Sequence, residues 1–192
     1  MDGNVYSIVK IGSQIWIAEN IKTTRLNDST SIPNVTDQTI WASLTTPARC
    51  WCNNDSISYN NQFGALYNWY EVNIGKLAPK GWHVATDEEW VTLTYFLGNS
   101  EAGGKLKESW TLNWLAPNTG ATNETHLTAL PGGGRGQDNG TFEGLGVVSF
   151  WRTSIVLDDT YSRFRSVGYN NSGVGKSGSG KNNGLYVRCI KN

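Results

Sequence analysis

The residues able to do chemistry are few and poorly spaced for catalysis. Nucleophilic catalysis needs a serine or cysteine beside a base. No G-x-S-x-G elbow occurs, and the only histidines, His83 and His126, stand in no motif. His83, within Gly81-Trp82-His83-Val84, reads as a histidine satisfying buried backbone groups. Gly175-Lys176-Ser177 copies the end of a phosphate-binding G-x-x-x-x-G-K-[ST] loop, but Asn170 stands where the first glycine belongs. No apolar strand leads into it and no helix leads out, so its amides would form no phosphate cradle. The triple glycine Gly132–Gly134 before Arg135 follows a proline and reads as a structural turn. Two histidines without clustered carboxylates do not make a catalytic transition-metal centre. Oxygen donors are more plentiful: Asp55, Asp87, Glu88, Asp138, Glu143, Asp158 and Asp159 leave a structural calcium ion open, though without EF-hand spacing. Cys50, Cys52 and Cys189 form neither an even framework nor a C-x-x-C pair. Buried free thiols and one Cys50–Cys189 bridge are the two alternatives.

The elements that must position such residues follow from composition. At 192 residues the chain fits one domain, 1–192, with enough length to bury a core without disulfide staples. Sixteen basic and sixteen acidic side chains cancel and form no long basic run, so nucleic acid is not an expected partner. Asp2, Gly3 and Asn4 do not begin a signal peptide, and no 18-residue apolar run follows, so direct membrane insertion is not expected. Nine tryptophans and eight tyrosines beside twenty-two glycines describe an aromatic core threaded by turns, a loop-rich α+β class.

Gly12-Ser13 suits a two-residue type II′ turn and predicts a hairpin of Val5–Ile11 with Gln14–Ala18. From Glu19 to Pro47 no period is sustained, which predicts loop. The spacing of Leu66, Asn68, Trp69 and Tyr70 predicts a short helix between Gly64 and Val72. A stronger helix is predicted over Asp87–Leu97, with Thr86 and Glu89 as a capping box, Gly98 as the stop and Trp90, Leu93 and Leu97 buried. From Gly98 to Gly146 glycine, proline and asparagine predict no continuous element longer than five or six residues, the segment being anchored by Trp110, Trp114, Leu127 and Leu130.

The end of the chain differs in kind. Between Ser166 and Gly184 fourteen of nineteen residues are Gly, Ser or Asn, which predicts strands with a bare outer face. Alternation sends Val167 and Tyr169 inward and Ser166, Gly168 and Asn170 outward. Leu185–Ile190 alternates as a closing strand whose faces cannot be ranked.

Longer segments carry a resemblance. Gln14-Ile15-Trp16-Ile17-Ala18-Glu19-Asn20, Gly64-Ala65-Leu66-Tyr67-Asn68-Trp69-Tyr70, Leu77-Ala78-Pro79-Lys80-Gly81-Trp82-His83-Val84 and Ala102-Gly103-Gly104-Lys105-Leu106-Lys107 occur in order. With Ala129-Leu130-Pro131-Gly132-Gly133 and Val187-Arg188-Cys189, they resemble the Fibrobacter succinogenes major paralogous domain family across essentially the whole chain. The resemblance implies a C-type-lectin-like fold of the formylglycine-generating-enzyme/sulfatase-modifying-factor type, with short helices and small antiparallel sheets. Enzymes of that type use paired cysteines near the end of the chain. Here only Cys189 lies there, so no enzymatic activity is implied.

Residues 150–192 resemble the variable region of proteins diversified by retroelements, where mutated template adenines turn asparagine codons into Gly, Ser, Asp, Val, Tyr or Arg. That resemblance implies an outward ligand-binding set of Arg152, Ile155, Val156, Leu157, Asp158, Asp159, Tyr161, Arg163, Phe164, Ser166, Gly168, Asn170, Asn171, Gly173, Gly175 and Ser177. Arg165 would add contact energy beside Tyr161, Arg163 and Phe164. The expected function is a receptor-binding or adhesin-like display protein, on a virion or cell surface, for a protein or glycan ligand on a cell surface. An oligomer stays open, and a carbohydrate- or cell-wall-binding module is the alternative.

Overall fold

A computed structural model describes residues 2–192. The opening hairpin forms where the turn chemistry puts it. β1 (Ile8–Ile11) and β2 (Gln14–Ile17) pair around Gly12, whose φ of 59° only glycine adopts without strain. Both strands are shorter than the apolar run suggests. α4 (Asp87–Phe96) carries the expected capping box, with Thr86 accepting from Glu89 N and Glu89 accepting from Thr86 N. Its N1 residue, Asp87, is thereby fixed against the tail strands.

Trp90 of α4 joins distant segments. Its ring lies 5.0 Å from Trp16 of β2 and 5.1 Å from Trp151 in β8 (Val148–Val156), and all three are fully buried. At roughly 150–250 Å² and about 4–6 kcal/mol of burial each, these rings outweigh any surface contact in the domain.

Five further strands and the tail complete three sheets. β11 (Cys189–Lys191) sits between β2 and β5 (Trp82–Val84) in the order β1-β2-β11-β5. The second sheet runs β10-β9-β8-β6-β7, with β6 (Gly132–Arg135), β7 (Phe142–Leu145), β9 (Tyr161–Gly168) and β10 (Gly175–Gly180). β3 (Arg49–Trp51) and β4 (Ala65–Tyr67) form the third. The segment Leu185–Ile190 is buried at every position, so neither of its faces is the outer one. It stitches the sheets together: Leu185 bonds with Tyr67, Arg152 N donates to Tyr186 O, Ile21 N to Val187 O and Ala85 N to Arg188 O.

Several expectations fail for identifiable reasons. Residues 65–67 are strand, because Gly64 (φ 80°) ends α2 (Ser56–Phe63) and the Asn68 cap delays α3 to Trp69–Val72. The stretch from Glu19 to Pro47 contains α1 (Gln38–Ala42), capped by Asp37 and burying Trp41. Between Gly98 and Gly146 the elements are short, as expected: α5 (Ala102–Leu106), β6 and β7. There Trp114 and Leu127 are buried and Leu130 partly so, but Trp110, at φ 68°, is 84% exposed and anchors nothing. Gly132–Arg135 is a buried strand rather than a turn. Tyr186 packs so close that a Cβ on Gly132 would lie 2.3 Å from its hydroxyl.

Cys50 and Cys189 belong to separate apolar clusters, and all three cysteines are free thiols, so the bridge does not form. Burial pushes Cys50 to about 12 and Cys52 to about 11, far from the reactive thiolate range. His83 bonds side chains rather than backbone, Asn192 through Nδ1 and Glu89 through Nε2, both at 2.7 Å. Among the described residues no helix is long and apolar enough to cross a membrane.

Candidate functional site

β8, β9 and β10 form an antiparallel meander in which Trp151 faces Arg165 and Lys176 across the strands, while Arg152 faces Phe164 and Ser177. Strand alternation therefore puts Trp151, Arg165, Val167 and Lys176 on one face and Phe150, Arg152, Phe164 and Ser177 on the other. The first face packs on α4. Arg165, 4% exposed, donates to Asp87 Oδ1 at 2.7 Å, and Lys176 Nζ reaches Asp87 Oδ2 at 2.9 Å. Burial opposes the charge of Asp87, but the hydrogen bonds from Lys176 and Arg165 outweigh it and hold its pKa below the usual carboxylate value. Arg165 thus fastens the tail instead of facing a ligand.

Arg152 is a second departure. Its register places it on the outer side, yet it is fully buried, donating to Ser162 Oγ, to Ser179 Oγ at 2.9 Å, to Gly180 O at 3.1 Å and to Asn183 O at 2.8 Å. No carboxylate pairs with it among the described residues. Burial draws its pKa down.

The tail is gripped mainly by its main chain. Lys107, fully buried, donates from Nζ to Thr119 O, Gly168 O and Asn171 O, each at 2.9 Å, and lies 5.4 Å from the Trp114 ring. Burial lowers its pKa to about 8. Gly104 N donates to Ser172 O at 2.9 Å, Thr119 N to Tyr169 O at 2.8 Å and Lys181 Nζ to Asp159 O at 2.8 Å. Carbonyl oxygens are the same in every residue, so these bonds are indifferent to the side chains at Gly168, Asn171, Ser172 and Gly180.

The remaining sequence-derived site residues fall into two groups. Val156, Leu157, Asp158, Asp159 and Tyr161 are exposed around the β8–β9 turn, with Ile155 and Arg163 partly buried beside them. Asn170, Asn171 and Gly175 are exposed at the β9–β10 end, where Gly168 and Gly173 are partly covered. Eight residues of β9, about 23 Å at a rise of roughly 3.3 Å, separate the two ends, so they do not form one compact patch. Phe164 and Ser166, partly buried, and exposed Ser177 lie between them.

At the β8–β9 end the tail borders a cleft of about 410 Å³. One wall is Phe150, Phe164 and Tyr161, with Phe150 and Phe164 edge to face at 5.5 Å. The opposite wall comes from β6, the β6–β7 turn and β7: Gly134, Gln137, Asp138, Asn139 and Glu143. Spacing within the tail does not reveal this second wall. Its only sequence signal is the Gly132–Arg135 run, which had read as a turn. Asp138 and Glu143, named above as calcium oxygens, line the cleft, whereas Asp55 caps α2 and Asp158 accepts from Thr160 N and Tyr161 N. Among the described residues no three histidine, cysteine or acidic side chains gather as metal ligands.

Residues 9–191 match the family model described as the Fibrobacter succinogenes major domain. No curated protein and no solved structure matches the chain.

Proposed function

The chain belongs to the Fibrobacter succinogenes major domain family, and from that footing we propose that it is a non-enzymatic display protein whose β8–β10 meander and adjoining cleft bind a protein or glycan on a cell surface. The proposal includes a C-type-lectin-like scaffold of the formylglycine-generating-enzyme type and a diversified tail. The observation that carries it is the manner of attachment. Lys107, Gly104 and Arg152 hold main-chain carbonyls of residues 168–183, which leaves the outward side chains free to vary without loss of the fold. No reaction is proposed: the thiols are buried and the histidine at position 83 is occupied by Glu89 and Asn192.

Phe150, Tyr161 and Phe164 beside amide and carboxylate groups also suit the alternative, a sugar-stacking carbohydrate- or cell-wall-binding module.

The test is a library randomised at Tyr161, Arg163, Phe164, Ser166 and Ser177. Most members should stay folded, with melting temperatures within about 5 °C of the parent, since surface changes cost little, while partner choice on panels of cells changes. General loss of folding would refute the display reading. A reverse transcriptase gene beside a near-copy of the tail-coding DNA, differing opposite template adenines, would support diversification; its absence would remove that part.

A further inference from the structure

Resting on the display reading, we infer that the cleft between β6–β7 and the tail strands takes a basic side chain, lysine or arginine, of a protein partner. The charges around it point that way. Arg135 contributes to the lining, but each of its nitrogens already donates to a main-chain carbonyl: Nε to Gly140 O at 2.8 Å, one terminal nitrogen to Val35 O at 2.7 Å and the other to Thr36 O at 2.8 Å. Its guanidinium also lies over Trp41 at 4.5 Å and Phe142 at 4.9 Å. The other charged lining groups are Asp138 and Glu143, and neither forms an ion pair among the described residues. The lining therefore carries two carboxylates without ion-pair partners against one guanidinium turned onto main-chain carbonyls, which leaves it net negative.

Its polar atoms agree. Gln137 Oε1 and Asn183 Oδ1 are buried in the cleft wall with no hydrogen-bond partner. Buried acceptors left unmet are costly, and a small turn of either amide toward an entering ammonium or guanidinium would supply the missing donor. The aromatic wall of Phe150, Phe164 and Tyr161 attracts a cation through its ring faces and packs the aliphatic stem behind it. An anionic ligand would meet net repulsion, and a neutral one would desolvate the carboxylates without neutralising their excess charge.

The test is an NMR titration of the ¹⁵N-labelled protein with three probes: Nα-acetyl-arginine methylamide, its neutral isostere Nα-acetyl-citrulline methylamide, and chitotriose. The arginine probe should shift the amides of Gly136–Asn139 and Phe164 and bind at least tenfold more tightly than citrulline. Asp138→Asn and Glu143→Gln, both at exposed positions, should each weaken it about tenfold with unchanged melting temperatures. Equal binding of citrulline, no effect of either variant, or silence of the cleft amides toward arginine overturns the inference. Chitotriose occupying the cleft instead would overturn it while leaving the display reading intact. That reading stands or falls on the randomised library.

Discussion

Replacing Arg152 with alanine tests the architecture most directly, because the strand pattern and the packing disagree about where this side chain goes. The substitution removes four hydrogen bonds and leaves Gly180 O and Asn183 O without their buried donor. Bonds to a charged group are each worth about 1.5–3 kcal/mol, but burying the guanidinium opposes them, and its Nε finds no partner. The net loss should be about 3–4 kcal/mol. At about 2–4 °C per kcal/mol for a domain of this size, the melting temperature should fall by roughly 6–16 °C. Arg152→Lys keeps the charge but not the planar fork, so it should recover less than half of the loss. Calorimetry together with urea unfolding at pH 7 gives both numbers. A fall below about 2 °C for both variants would mean that Arg152 points to solvent and that the tail is not clasped through its carbonyls.

A Cβ on Gly103 would lie 2.2 Å from Gly173 O and could be relieved only by moving backbone, whereas one on Gly180 meets only side-chain ends, those of Gln137 and Asn182, which can turn aside. Gly103→Ala should therefore destabilise by more than about 2 kcal/mol and Gly180→Ala by less than about 1 in denaturant titrations. Lys107→Met should raise hydrogen exchange at residues 168–173 at least tenfold while the amides of α4 keep their protection, as read by mass spectrometry. Glu71 is 1% exposed, its Oε1 has no partner, and burial raises its pKa from 4.5 to about 7. Because the folded value lies above the unfolded one, the stability it contributes is complete below pH 4.5 and is lost as pH rises through 7. Glu71→Gln should therefore gain on the order of 2–3 kcal/mol at pH 8 and little at pH 4 in urea titrations.

What was legible in the sequence was local. The Gly12-Ser13 turn, the Thr86–Glu89 capping box and the Val167 alternation each rest on neighbours within a few positions, and each forms. What was not legible depends on partners far along the chain. Ala65–Tyr67 becomes strand because Arg49–Trp51 lies beside it, and its helical spacing is incidental. Gly132–Arg135 is buried because Tyr186 and Trp41 close over it, which no local period in four nearly side-chain-free residues can announce. Arg152 and Lys107 are cations that any hydropathy pattern sends outward. Only the carbonyls gathered around them explain why they stay inside. Of the candidate cleft, Tyr161 and Phe164 are named by the sequence, while the wall from Gln137 to Glu143 is not, because nothing in sequence links it to Phe164.

The position of Leu185–Ile190 sets a condition on synthesis. These six residues follow the tail and complete all three sheets, so the ribosome must finish the tail in frame before the molecule can close. A stop codon or frameshift anywhere in residues 150–184 yields a polypeptide lacking its clasp, exposed to proteolysis instead of accumulating as a misshapen binder. On the display reading proposed above, placing this segment downstream of the varied stretch would make folding itself a proofreader of it.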